Sequence, residues 1–255
     1  MPKVLEQSGV VLQKPLDART YLLRLNAAQI AEQVVPGQFV HIKLTMPGEA
    51  LLRHPFGVAA VDKTQGTIDI IYRVAGEFTR ALAKLTPCDR LSILGPLGHG
   101  FDLAAPGRTL LVGGGTGLAP LLFLVSRLGA EKTDVLMGAR TKEELFWQKL
   151  FRPFVQHIFI TTDDGSLGTH GTVMALLPSL LTQGYQRVYV CGPSPMMKAV
   201  ANACEAQDVA CQVSLERYMA CGMGACLSCT CQGREKRLKV CTDGPVFWSK
   251  EVSEW

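Results

Sequence analysis

Thr109-Leu-Leu-Val-Gly-Gly-Gly-Thr-Gly-Leu-Ala-Pro120 is the stretch on which the fold turns. Thr109–Val112 reads as a short apolar strand, Gly113-Gly114-Gly115-Thr116-Gly117 as the turn that ends it, and Leu118–Leu128 as a helix. In a strand–turn–helix of this kind, backbone N–H groups and the helix N-terminus can hold a pyrophosphate. The turn is not a clean G-x-G-x-x-G, because Leu118 stands where the third glycine belongs. A glycine turn alone can be only a tight connection, so the segments after it matter. They alternate: strand Asp134–Gly138, helix Lys142–Leu150, strand His157–Thr161, helix Val173–Leu181, strand Arg187–Cys191, helix Ser194–Ala206. Strands alternating with helices imply βαβ units and a parallel sheet. Residues 103–210 are therefore expected to be a Rossmann-like α/β dinucleotide-binding domain.

Ligands of open α/β sheets sit beyond the carboxyl ends of the strands. Cys191-Gly192-Pro193 ends the last strand of this region and belongs there, near a nicotinamide; it can equally be a helix start, capped by Ser194 or opened by Pro195. Asp163 and Asp164 follow another strand on the same edge. Two carboxylates suit a ribose diol better than a 2′-phosphate, which favours NAD over NADP. Arg140 keeps NADP open, and a solvated turn is the plain alternative for the two acids.

Upstream, residues 1–102 read as β. Short apolar runs at Val4–Leu12, Thr20–Leu25, Gln38–Leu44, Phe56–Val61, Thr67–Arg73 and Arg90–Leu94 lie between turn signals such as Pro36-Gly37 and Pro47-Gly48. Such spacing predicts a sandwich or barrel, with Ala81–Leu85 as a helical stretch and Pro106-Gly107 at the join to the α/β region. Arg53-His54-Pro55-Phe56-Gly57 and Ile71-Tyr72-Arg73 combine a cation with aromatic rings. That combination can pair with phosphate and flank a flat cofactor, or be merely a strand with a solvated charge.

Downstream, Cys221-Gly-Met-Gly-Ala-Cys226-Leu-Ser-Cys229 is followed, after eleven intervening residues, by Cys241. This C-x4-C-x2-C…C spacing is that of a plant-type [2Fe–2S] cluster. Gly222, Gly224 and Ala225 let the backbone curl tightly around a small cluster. A zinc site usually pairs two C-x2-C hairpins or adds His, whereas only one such pair occurs here and no His follows His170. Cys231 fits the spacing less well and is left as a non-ligand. Cys88, Cys204 and Cys211 read as plain thiols.

The chain has 255 residues, 47% hydrophobic and 19% charged, which calls for packed cores rather than disorder. Its net charge of +4 marks neither a nucleic-acid surface nor a cationic membrane patch. Neither a basic-then-apolar leader nor an apolar run long enough to span a bilayer is read, so neither export nor a membrane span is expected. Nine cysteines without an export signal suit a reducing, cytoplasmic setting with some thiols as metal ligands.

Taken together these residues resemble the ferredoxin–NADP reductase superfamily and, within it, the electron-transfer subunits of dihydroorotate dehydrogenase B. The resemblance covers essentially the whole chain: Pro36–Phe39, Leu52–Pro55, Ile71–Arg73, Gly95–Phe101, Gly113–Pro120, Asp163–Ser166, Cys191–Pro193, Met219–Gly222 and Asp243–Phe247. It implies an antiparallel barrel binding FAD (1–102), an NAD domain (103–210) and a [2Fe–2S] region (211–255) held by Cys221, Cys226, Cys229 and Cys241. By the same resemblance His54-Pro55-Phe56-Gly57 falls on the family's flavin motif, usually Arg-Pro-Ile-Ser. His54 stands for the expected Arg, with Arg53 adjacent, and Gly57 for a Ser near the flavin. Ile71, Tyr72 and Arg73 match further flavin segments, as do Gly76 to Thr79, where Phe78 replaces a common Gly. The implied partner is an FMN-containing catalytic subunit, in a heterotetramer of two plus two, serving pyrimidine biosynthesis. No catalytic side chain is assigned beyond the cofactors. Two other readings stand beside this one: an NAD(P)H reductase subunit of another redox complex, such as a hydrogenase, and a zinc-stabilised nucleotide-binding regulator.

Overall fold

The seven N-terminal strands are β1 (Val4–Pro15), β2 (Thr20–Asn26), β3 (Phe39–Leu44), β4 (His54–Gly57), β5 (Ala60–Asp62), β6 (Thr67–Arg73) and β7 (Arg90–Leu97). They come from a computed structural model that describes residues 3–44, 51–104 and 107–255, so the expected turn at Pro47-Gly48 and Pro106 of the join lie outside the described residues. All pairings are antiparallel, in the order β4-β3-β7-β1-β2-β6-β5. Only Val58-Ala59 joins the edge strands β4 and β5, and its amides donate to the carbonyls of Gln38 and Asp69. The sheet therefore curls back on itself as a barrel.

Alternation explains the curl. On β3, Val40, Ile42 and Leu44 enter the barrel core with Leu23, Leu25, Ile68, Ile70, Leu91 and Ile93. Successive side chains of a strand point to opposite faces, so Phe39 and His41 leave the barrel on its other side. Helix α1 (Ala28–Gln33), unmarked in the sequence, plugs one end with Ile30 and Ala31. Helix α2 spans Glu77–Leu82, earlier than the expected Ala81–Leu85.

The second unit contains β8 (Thr109–Gly114), α3 (Leu118–Val125), β9 (Thr133–Ala139), α4 (Trp147–Phe151), β10 (Ile158–Thr162), β11 (Thr169–His170), α5 (Leu177–Leu181), β12 (Arg187–Cys191), α6 (Ser194–Ala206) and β13 (Ala210–Ser214). After it come β14 (Thr230–Gln232), β15 (Arg237–Lys239) and β16 (Val246–Trp248). The sheet order is β11-β10-β9-β8-β12-β13-β16, parallel except for the last pair. Thus β13, across the expected boundary at 210, belongs to this sheet, and β16 returns from the C-terminus to edge it.

Three expected helices are shorter than their pattern: α3 ends at Val125 rather than Leu128, and two others break near their start. Pro178 has no N–H for the carbonyl of residue 174, so Val173–Ala175 splits off as a 3₁₀ turn and α5 starts at Leu177. Likewise Lys142–Glu144 forms a 3₁₀ turn and α4 follows separately, because Leu145, Trp147 and Phe151 all turn into the core. All eight residues of α3 are buried. The barrel contributes Ala59, Ile71 and Phe101 to the core around α3, and Phe39 and Leu97 to a core shared with Cys229, Cys231 and Cys241.

One buried acid ties the second sheet together. Asp134, with a fully buried side chain, accepts from Arg108 Nη2 at 2.8 Å, from the Tyr185 hydroxyl at 2.6 Å and from His157 N and Nδ1 at 2.9 Å. Burial pushes its acidity one way, but the bonds from Tyr185, Arg108 and His157 prevail and hold it below the usual carboxylate range. A depressed carboxylate stabilises the fold above the ordinary carboxylate pKa and loses that contribution as pH falls through the folded value. Asp134→Asn should therefore cost about 1–3 kcal/mol in urea melts at neutral pH, with the gap to wild type closing as the pH is lowered below about 4.

Candidate functional site: the junction of barrel, dinucleotide fold and cysteine loop

The glycine turn is built by a close approach. A Cβ on Gly117 would lie 2.5 Å from the carbonyl carbon and oxygen of Cys191 and 2.6 Å from Gly192 Cα. The start of α3 therefore rests directly on the end of β12, which brings Gly113–Gly117 and Cys191-Gly192-Pro193 together as the sequence suggested. Gly114 faces Met196, and Gly115 has φ +56 with open space in front of it. The Cys191 thiol is buried and donates weakly to Ser214 O at 3.7 Å. Burial, then the charge of Glu216, pushes it well above a usual thiol. Burial also raises the Glu216 carboxyl. Burial thus favours the protonated thiol at Cys191. Glu216 was not singled out in the sequence: it lies 25 positions beyond Cys191, on the loop after β13.

The two acids after β10 divide. Asp164 Oδ1 accepts from Ser166 N at 2.9 Å and Ser166 Oγ at 2.6 Å, which closes the turn. Asp163 stays exposed. Arg140 pairs with Glu144 at 3.0 Å, and Glu144 also meets Arg73 of β6 at 3.5 Å, an ion pair that bridges the two units.

On the barrel edge, Arg53 turns inward. Its Nη1 donates to Ser92 O at 3.0 Å and more weakly to His41 O at 3.5 Å, and its Nη2 to Ser92 Oγ at 2.9 Å. His54 stacks on Phe78, centroids 3.8 Å apart at 18°. Two of the three positions that depart from the pattern the resemblance implies, His54 and Phe78, thus meet in space as one stacked pair of rings. Phe56 lies 6.0 Å from Phe78 and 5.9 Å from Tyr72, extending an aromatic strip behind Pro55. The Tyr72 hydroxyl accepts from Gln13 Nε2 at 2.7 Å. Gly57 faces Pro120 of α3, with 3.6 Å from a built Cβ to Pro120 Cβ. Thr79 Oγ1 accepts from Ala75 N at 2.9 Å and Gly76 N at 3.0 Å, fixing the start of α2. Beside α2 and β6 opens a groove of about 540 Å³, lined by Arg19, Tyr21, Val74, Arg80 and Lys84 among others. Those cations were also not singled out; Arg80 and Lys84 are an i, i+4 pair, the only trace they leave in the sequence.

The four cysteines arrive as two pairs. Cys226 N donates to Cys221 Sγ at 3.4 Å, and Cys241 N donates to Cys229 Sγ at 3.4 Å. Met223 N adds a second amide to Cys221 Sγ at 3.3 Å. Among the described residues, no three His, Cys, Asp or Glu converge on one point as a single metal ion needs. Two sulfur pairs with amides aimed at sulfur fit a two-iron cluster better than a zinc ion. Leu227, between the pairs, holds φ +60, a strained conformation for that residue. Cys231 is buried on β14 with its thiol pushed up, chiefly by burial. Met219 packs inward, whereas Met223 and Leu227 are 50% and 58% exposed.

Comparison with known proteins agrees with this division. Family models match residues 13–101 as an oxidoreductase FAD-binding domain, 111–202 as an oxidoreductase NAD-binding domain, and 216–253 as the iron-sulfur cluster binding domain of dihydroorotate dehydrogenase B. The chain is 43% identical to the dihydroorotate dehydrogenase B (NAD(+)) electron transfer subunit of Geobacillus thermodenitrificans, over 97% of this chain and 98% of that one. Identity to the Bacillus caldolyticus subunit of the same name is 41%, over the same shares. The chain belongs to the family of dihydroorotate dehydrogenase B electron transfer subunits. A chain from the structure of the NADH-dependent reduced ferredoxin-NADP oxidoreductase superposes with TM-score 0.88 at 28% identity, over 97% of this chain and 90% of that one. A ferredoxin reductase of carbazole 1,9a-dioxygenase shares the fold at TM-score 0.69 and 20% identity, over 82% and 67%.

Like its family, the chain is an oxidoreductase subunit that uses FAD, NAD and an iron–sulfur cluster to transfer electrons to NAD⁺. Among the described residues no helix is long and apolar enough to cross a membrane.

Two outcomes follow from this geometry. Gly117→Ala must push α3 off β12, and the Michaelis constant for NADH in a dye-reduction assay should rise about tenfold, or ~1.4 kcal/mol. In cluster-free protein, Cys226 is exposed and bonds from Ser228 and Cys221 hold its thiol down to about 6. Mass-spectrometric mapping should find it alkylated by iodoacetamide before buried Cys229 and Cys241, with its rate falling as the pH drops below about 6.

Proposed function

We propose that this chain is the NAD⁺-reducing arm of a two-subunit dihydroorotate dehydrogenase. A separate FMN-containing subunit oxidises dihydroorotate, and its electrons enter here at the cysteine loop and leave at the nicotinamide. Bound FAD supplies the exchange between single electrons and a hydride. One observation carries the reading. The β3–β4 strand pair touches both redox ends: Gly57 lies on α3 beside the glycine turn, and His41 lies against Gly222 of the cysteine loop.

The positions of the residues support the following roles. His54, Pro55, Phe56 and Gly57, with Ile71, Tyr72, Arg73, Gly76, Phe78 and Thr79, hold the flavin. Arg53 keeps β4 in place from behind rather than reaching a phosphate, because Ser92 already takes its guanidinium. Phosphate charge falls instead to the groove with Arg19, Arg80 and Lys84. Gly113, Gly114, Gly115, Thr116 and Gly117 receive the NAD pyrophosphate, and Asp163 the ribose. Cys191, Gly192 and Pro193 wall the nicotinamide. Cys221, Cys226, Cys229 and Cys241 would hold the cluster, which would supply one-electron transfer. The barrel thus runs to 102 and the dinucleotide unit to Ser214, with the cluster unit beyond.

Exposed Met223 and Leu227 flank Cys226, itself exposed, and give the cluster end an apolar face for the partner. Nine free cysteines support a cytoplasmic setting. We take the assembly as two copies of each subunit.

Among the described residues we assign none as a general base for dihydroorotate. Purified alone, the chain should oxidise NADH with dye acceptors and leave dihydroorotate untouched. Dihydroorotate turnover by the isolated chain overturns the division of labour.

A further inference from the structure

Arg140 is the feature of the sequence that speaks for NADP, and the fold gives that side chain a partner. Arg140 follows β9, and Lys142–Glu144 then form a 3₁₀ turn that brings Glu144 back to it. The Glu144 carboxylate accepts from Arg140 Nη2 at 3.0 Å and from Arg140 N at 3.2 Å. Arg73 of β6 lies 3.5 Å from the same oxygen that holds the Arg140 guanidinium. One carboxylate thus engages a cation from each unit. The Arg140 side chain is 66% exposed. An exposed pair of this kind adds little to stability, so its effect is sought in what it does to a ligand.

The pair stands on the nucleotide groove. A groove of about 280 Å³ is lined by Gly115 and Thr116 of the glycine turn, by Arg73, and by Thr141, Glu143 and Glu144. Arg19 also lines it, on the side shared with the larger groove beside α2. The turn after β10 is stitched to the same edge. Asp163 N donates to Ala139 O at 3.0 Å, Asp164 N to Arg140 O at 3.2 Å, and Lys142 N to Ser166 Oγ at 2.9 Å. Glu143, Glu144, Asp163 and Asp164 therefore share this edge with two cations, Arg140 and Lys142. A bond from Thr141 holds the Glu143 carboxyl below the usual carboxylate range, and the charge of Lys142 acts on it in the same direction. Bonds from Ser166 do the same for Asp164. Acids outnumber cations here, and Arg140 is already taken.

We propose that Glu144 sets the choice of NAD over NADP by holding Arg140, the guanidinium that a 2′-phosphate would otherwise take. This rests on the reading above that Gly113–Gly117 receive the NAD pyrophosphate. An arginine near the adenosine ribose is the usual partner of a 2′-phosphate, whereas a carboxylate accepts from the free ribose diol. Guanidinium suits phosphate because its N–H groups form paired, charge-assisted bonds. With Arg140 spent on Glu144, a 2′-phosphate meets carboxylates and no free partner at this turn. A ribose hydroxyl loses nothing by the same arrangement. Selectivity is a difference of affinities, and withholding a partner from the unwanted ligand produces it as well as adding one for the wanted ligand. Glu144 touches no reacting atom. It is a specificity residue that acts through Arg140.

The test uses the purified chain with its cofactors. Calorimetry measures binding of adenosine 2′,5′-bisphosphate and of 5′-AMP, and a dye-reduction assay compares NADPH with NADH. Glu144→Gln keeps the size of the side chain and removes its charge. It should tighten the bisphosphate about tenfold relative to 5′-AMP, the scale of one charge-assisted bond. The NADPH-to-NADH ratio of kcat/KM should rise by a similar factor. Adding Arg140→Leu to Glu144→Gln should remove most of both gains, which a merely structural role of Glu144 would not predict. An unchanged ratio in Glu144→Gln, or a gain that survives Arg140→Leu in full, would overturn the proposal. Thr141→Trp fills the groove and separates the failures. If it weakens 5′-AMP while Glu144→Gln leaves the ratio unchanged, only the role of Glu144 falls. If 5′-AMP binds Thr141→Trp as it binds wild type, the nucleotide lies elsewhere and the reading of the groove falls as well.

Discussion

Three units of this protein meet where no side chain intervenes. Gly117 sets α3 on the carbonyl of Cys191, Gly57 sets β4 against Pro120, and Gly222 sets the cysteine loop on the ring of His41. Each is a contact in which a methyl group or a ring would push two elements apart. Interiors are close-packed and transmit small displacements, so these contacts fix the spacing between flavin strand, nucleotide turn and cluster loop. The rest of the architecture supports them. The barrel curls to present β3 and β4, the parallel sheet brings Cys191 level with Gly113, and β16 returns from the C-terminus to tie the cysteine unit to the same sheet.

Electrostatics follows from that packing. Around the nucleotide end, burial keeps Cys191 neutral and raises the Glu216 carboxyl. At the far end of the same sheet, Asp134 keeps its charge because Arg108, Tyr185 and His157 all bond to it. The contrast is one of supplied partners, not of depth, since a buried carboxylate stays ionised only where donors replace water. His41 is a third case: a buried ring whose nitrogens have no hydrogen-bond partner and whose face lies against Gly222.

The aromatic strip at the barrel edge shows how a departure from a family pattern can be absorbed. His54 in place of Arg and Phe78 in place of Gly look like two independent losses along the chain. In the fold they are one stacked pair. Arg53, adjacent in sequence and the natural substitute for the missing cation, lies just before β4 and spends its guanidinium on Ser92.

By itself the sequence determined what depends on local order. The alternation of strands and helices after Thr109, the glycine turn, and the spacing of Cys221, Cys226, Cys229 and Cys241 are readable because each is carried by neighbouring residues. Helix ends at Pro178 and the burial of Trp147 were less legible, since the tertiary core chose which part of each pattern became α-helix. Only the folded chain decided the encounters between distant segments: His54 with Phe78, Glu216 with Cys191, Arg19 with Arg80 and Lys84, His41 with Gly222. Such contacts obey no periodicity. They are set by which faces the packed layers turn towards one another, and nothing in one segment's residue order records what will lie across from it.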